Sequence, residues 1–195
     1  MTQFEYLAVL FSVVVGLAVA QTLRGLLHLV RHRATITLHW PTLLWTAGLI
    51  QWTIYFWWFT FSLTRIDEWR LSELLFVLLY ASALYFLLGL LHPDDAGSTF
   101  DMPVHFNANR GWFFGVFLGL GLMDVADTWL KTTGEVGAGA PPGGMLGYAG
   151  YMGVWLLGSL VVLKFKSERL LTAFALAYLI ITIGVTVAAD GLGSI

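Results

Sequence analysis

The sequence predicts an all-α fold, a polytopic transmembrane helix bundle of six spans, and three observations predict it. Of the 195 residues, 58% are apolar and 11% charged, and the mean hydropathy is +0.78. A soluble domain carries about 25% charged residues, and surface-to-volume scaling would leave too much of this apolar surface wet. The apolar residues fall in six stretches, each near the roughly 20 residues an α-helix needs to cross a bilayer. None shows the short alternating segments of a membrane β-barrel.

The spans are expected at about 4–30, 40–63, 72–91, 111–130, 145–164 and 169–189 of a single domain covering 1–195. The first is uncharged from Tyr6 to Leu23. Its Ala18-Val19-Ala20 imitates a signal-peptidase site, but the chain opens Met-Thr-Gln-Phe-Glu without a positive n-region, so the segment reads as a retained helix. The second is uncharged throughout, and the third stops at His92-Pro93, because proline disfavours helix in its predecessor. Only the fourth holds two acids inside its span, Asp124 and Asp127. The fifth and sixth are joined by a short basic link. Two links are longer, 92–110 and 131–144, and the second is too rich in Gly and Pro to be helical and reads as a flexible loop. No internal repeat supports an inverted-repeat transporter architecture.

Lys and Arg at the span ends set the expected orientation. Arg24, Arg31, Arg33, Arg110, Lys164, Lys166 and Arg169 share one side, against Arg65, Arg70 and Lys131 on the other. The basic side is read as inside, which places both termini outside. Eight of the twelve acids then fall in the outer half. The absence of cysteine excludes disulfides, thiolate metal sites and cysteine nucleophiles. There is no basic tail or arm, so nucleic acid is not an expected partner.

Small residues four apart let helices approach closely in lipid. Gly111, Gly115 and Gly119 form one such stripe and Ser12, Gly16 and Ala20 another, while Gly144, Gly147, Gly150 and Gly153 recur every three. Packing within the bundle is their expected use, and a homo-oligomer seam the alternative. Trp40, Trp69, Trp112 and Trp129 sit at span ends as interfacial anchors. Trp45, Trp52, Trp57 and Trp58 thread the second span, where packing is expected.

Asp124 is the sharpest polar feature. It follows an uncharged run from Gly111 to Met123, about 18 Å along the helix from Trp112. Near the bilayer centre an aspartate costs at least ~2.5 kcal/mol, so it should face protein or water. Asp127, three residues on, shares its face, with Lys131 as a possible partner at i+4. Asp124 is therefore a proton or cation site, or else a carboxylate capped by Tyr, Thr or Trp. Gln21, Arg24 and His28 form one polar stripe on the first span. Arg24 either binds a headgroup or snorkels, and Gln51 in the second span suits an interhelical hydrogen bond. His28 and His32 stand at the four-residue spacing of a helical metal pair, and His39 and His92 lie at similar depth. A metal or bis-histidine haem is thinkable there, yet no histidine lies deep in a span, and no cofactor is predicted. No hydrolase elbow, phosphate loop, zinc-protease motif or Rossmann fingerprint is present. Asp124 with a histidine could do acid–base work, but the two lie toward opposite faces, which argues against a shared catalytic centre.

Several segments carry a resemblance: Phe4-Glu5-Tyr6-Leu7-Ala8-Val9-Leu10, Gly16-Leu17 with Gln21, His39-Trp40-Pro41-Thr42-Leu43-Leu44-Trp45, Trp57-Trp58, and Asn109-Arg110-Gly111-Trp112-Phe113-Phe114-Gly115. Over most of the first 115 residues the chain resembles a group of small bacterial polytopic membrane proteins of unassigned activity. That resemblance implies a bacterial inner-membrane location and carries over no substrate, cofactor or catalytic residue. The expected function is binding or permeation of a small cation, proton or lipid centred on Asp124. The alternatives are a non-transporting scaffold or accessory subunit and, third, a haem- or metal-binding redox protein.

Overall fold

The computed structural model describes residues 3–60, 63, 69–92, 101–133 and 144–191, the side chains of 3, 59, 130–133 and 188–191 excepted. Among these residues it consists of six helices: α1 (Gln3–Arg31), α2 (Trp40–Phe59), α3 (Leu71–Leu91), α4 (Met102–Thr133), α5 (Gly144–Lys164) and α6 (Glu168–Gly191). Five of them, all but α2, are long and apolar enough to cross a membrane. Only 17 to 39% of the residues in their apolar stretches are buried in the bundle. The apolar remainder, such as Leu79, Leu146 and Ile180, points outward, an inside-out arrangement that only lipid solvates.

The sixth expected span is the aromatic one. At 20 residues, α2 has the length, about 30 Å. Five tryptophans, three threonines, Tyr55 and Gln51 replace the aliphatic residues that make the other five so apolar. Two of its threonines are satisfied locally: Thr46 and Thr53 return their hydroxyls to Thr42 O and Leu49 O at 2.8 and 2.7 Å. Trp45 and Trp52 are buried in protein, whereas Trp40 and Trp58 are exposed.

α4 begins at Met102, nine residues before the expected start, and converts half of the supposed 92–110 link into helix. The cause is local. Asp101 Oδ1 accepts from Val104 N at 3.0 Å, and Pro103 sits in the first turn, where its missing N–H breaks no helical bond. The expected loop at 131–144 falls mainly on residues outside those described.

The helices α2, α3, α4, α5 and α6 form a closed ring in which each touches the next and α6 returns to α2, while α1 lies outside against α3 and α2. Trp45 fills the ring, edge-on to Phe113, Phe114, Phe117 and Phe174 with centroids 5.0–5.6 Å apart, the separation aromatic quadrupoles favour. Phe117 in turn stacks on Trp155 at 4.8 Å. Trp40, Trp112 and Trp129 are exposed, as interfacial anchors should be, whereas Trp69 packs against Phe4 and Phe11.

Close helix approach uses different glycines from those of the small-residue stripes. A Cβ on Gly25 would lie 2.5 Å from His92 Cβ, and one on Gly158 2.5 Å from the Phe174 ring. Gly16, Gly111, Gly115, Gly119, Gly150 and Gly153 face open space. The expectation that those stripes pack within the bundle is therefore not met at these six positions.

Candidate functional site

Asp124 continues the inward stripe of α4. Phe113, Phe117 and Leu120 are buried and recur at three- and four-residue steps that lead to position 124, so the carboxylate is delivered to the ring interior beside α3 and α5. Asp124 Oδ2 accepts from the Tyr148 hydroxyl at 3.0 Å, and Oδ1 accepts from the Tyr80 hydroxyl at 3.4 Å. Tyr80 accepts from Trp52 Nε1 at 3.0 Å and stacks flat on Phe56 at 4.8 Å. A polar chain, Trp52–Tyr80–Asp124–Tyr148, thus links α2, α3, α4 and α5. Tyr151 stands 6.5 Å from Tyr148, centroid to centroid, and Tyr178 flanks Trp155. The hydroxyls of Tyr151 and Tyr178 are buried with no hydrogen-bond partner among the described residues.

Phenol donors on both carboxylate oxygens are what an anion in an apolar interior requires, since a hydrogen bond to a charged group contributes about 1.5–3 kcal/mol. The same geometry accepts a proton with little movement. A protonated Asp124 becomes the donor, and a tyrosine hydroxyl rotates to accept. Asp127 is half-buried on the same helix, and its expected partner, the Lys131 side chain, lies outside the described residues.

The other expected site residues are dispersed. Gln51 Nε2 donates to Thr182 O at 3.2 Å and to Thr186 Oγ1, which joins α2 to α6 as expected of an interhelical bond. Gln21 lies over Gly89 of α3, and Arg24 is exposed on α1. The His28 and His32 rings lie 4.4 Å apart. His39 and His92 are turned to other partners. Among the described residues no three His, Asp or Glu side chains converge as metal ligands.

The histidine end of the bundle holds a second polar network, which sequence reading missed. Glu168 of α6 accepts from His39 Nε2 at 2.9 Å and from Asn107 Nδ2 at 3.2 Å, and Thr42 Oγ1 lies 2.7 Å from His39 Nδ1. A hydroxyl, imidazole and carboxylate in line are the elements of a nucleophilic triad, but Thr42 is only 1% exposed. The trio reads as a clasp between α2 and α6. Beside it, the Thr46 hydroxyl donates to Thr42 O, so His92 Nε2–H donates to Thr46 Oγ1, 2.9 Å away. His92 is buried, and burial, helped by neighbouring His105, pushes its pKa down to about 4.

Arg110, expected as a rim charge, is only 4% exposed. Its guanidinium donates to Val162 O at 2.8 Å, Phe165 O at 3.4 Å and Asn107 Oδ1 at 3.3 Å, which ties α4 to the end of α5. The sequence signal for this burial is faint: Arg110 sits three residues before buried Phe113, on the inward stripe of α4.

Against known proteins the chain finds no match among protein families, curated proteins or solved structures. A multi-pass helical membrane protein is thus the class that the fold defines, and its chemistry rests on the site alone.

Proposed function

We propose that this is a six-span bacterial inner-membrane protein that binds a proton or a small monovalent cation at Asp124. The observation that carries the reading is the convergence of Tyr80 and Tyr148 on the two oxygens of Asp124. A carboxylate set this far along a span is expensive, and here it is oriented and surrounded by hydroxyls and aromatic faces that suit a proton or a weakly hydrated cation. In this reading α2 crosses the bilayer as the sixth span, shielded by its neighbours. The Arg- and Lys-rich end lies in the cytoplasm, and both termini lie outside.

In proteoliposomes carrying an internal pH indicator, with a potassium gradient and valinomycin, the native chain is expected to admit protons. Asp124→Asn should abolish that flux, while Asp127→Asn retains most of it. Equal flux from native and Asp124→Asn protein would leave the scaffold reading, in which the Asp124 network serves packing alone. The outward glycines of α4 favour one addition, self-association through Gly111, Gly115 and Gly119, since three glycines in an exposed helix face each cost about 1 kcal/mol relative to alanine with no packing in the monomer to offset it.

A further inference from the structure

We propose that the cleft at the histidine end of the bundle binds the phosphodiester headgroup of an anionic phospholipid. The cleft, about 640 Å³, lies where α4 passes the α5–α6 link, and Asn107, Arg110, Leu163, Lys166 and Glu168 contribute to its lining. Arg110 is its built element. Two backbone carbonyls and Asn107 hold the guanidinium in place, and they leave Nε buried with no partner among the described residues. A buried N–H without an acceptor carries its full desolvation penalty, and a phosphate oxygen is the acceptor a guanidinium fork matches best.

The charges fit one phosphodiester. Lys166 adds an exposed cation to Arg110, and Glu168, already engaged by His39 and Asn107, cancels one of the two. One positive charge is left in excess, against the single negative charge of a phosphodiester. Depth decides between a lipid and a free phosphate. Trp112, two residues beyond Arg110, is 70% exposed at the position of an interfacial indole, and Leu163 gives the cleft an apolar wall for the glycerol and first methylenes. Arg24, Arg31, Arg33, Lys164 and Arg169 belong to the same end and raise the local concentration of anionic lipid.

The test titrates the full-length protein in neutral detergent with dioleoylphosphatidylglycerol, dioleoylphosphatidylcholine or inorganic phosphate. Melting temperature and native mass spectrometry are the readouts. Phosphatidylglycerol should raise the melting temperature and remain bound at one per chain, with the other two about tenfold weaker. Lys166→Ala, which removes an exposed side chain outside the helices, should weaken phosphatidylglycerol several-fold, and Arg110→Lys, which keeps charge but loses the fork, about tenfold. Equal retention of phosphatidylcholine, or undiminished phosphatidylglycerol binding in both variants, would overturn the site. Stronger stabilisation by inorganic phosphate would overturn the lipid source in favour of a soluble phosphate ester.

Discussion

Tyr148 is the residue on which the Asp124 geometry can be probed with least disturbance. Its hydroxyl makes the shorter of the two tyrosine bonds to the carboxylate, and its ring is only half-buried. Tyr148→Phe removes one charge-assisted bond and little volume, so unfolding in detergent should become easier by about 1.5–3 kcal/mol. Asp124→Asn, Tyr148→Phe and the double variant form a cycle, and a coupling near zero would show that the bond is not made. His92 offers a second residue-scale test. Its pKa of about 4 in the folded chain lies below the ordinary 6.5, so the unfolded chain binds the extra proton between those values. The stability is fully present above pH 6.5 and is lost as the pH falls toward 4, in all about 3 kcal/mol. His92→Gln should flatten that part of a stability-versus-pH profile measured in detergent. An unchanged slope would mean that the imidazole is not held neutral.

Among the elements, α1 and α4 show what a helix does with its glycines. Gly25 lets α1 approach α3 so closely that a methyl group would collide with His92 Cβ. Both contact atoms are anchored to backbone, so Gly25→Ala should destabilise by about 1–3 kcal/mol through overpacking. A Cβ added at Gly115 meets nothing within 4 Å among the described residues, so Gly115→Ile should leave the monomer folded while it abolishes crosslinked dimers in membranes. Dimers that persist at native yield in Gly115→Ile would place the seam elsewhere. The start of α4 was readable in the sequence, since Asp101-Met102-Pro103 is an N-cap followed by an early proline. It was hidden because His105, Asn107, Asn109 and Arg110 make the first turns too polar for a hydropathy reading. The opposite holds for α2, whose length and lack of charge were plain and whose aromatic character sets it apart from the other five.

At the scale of the whole molecule, the six helices of the described residues follow from the apolar segments of the sequence, because lipid forces each backbone polar group into a helix, although only five of them are long and apolar enough to cross a membrane. Helix rotation and neighbour identity do not follow. Tyr80 and Tyr148 lie 44 and 24 residues from Asp124, and no periodicity says that α3 and α5 flank α4. The polar end-groups were misjudged for the same reason. Arg110 and Glu168 count as rim charges along the chain, but the ring closure buries the first and turns the second onto His39. Asp124 could be singled out because an acid within a span is rare whatever surrounds it. Its tyrosine partners became visible only once the ring was assembled.

We propose that Asp124 exchanges a proton or cation inside this ring, and infrared difference spectroscopy of the reconstituted protein across a pH step observes that exchange at the carboxyl group itself. A carboxylic C=O band, accompanied by tyrosine modes, should appear on acidification, be missing from Asp124→Asn and be shifted in Tyr148→Phe. Identical difference spectra from native and Asp124→Asn protein would contradict it, and would leave the carboxylate as a structural tie between α3, α4 and α5.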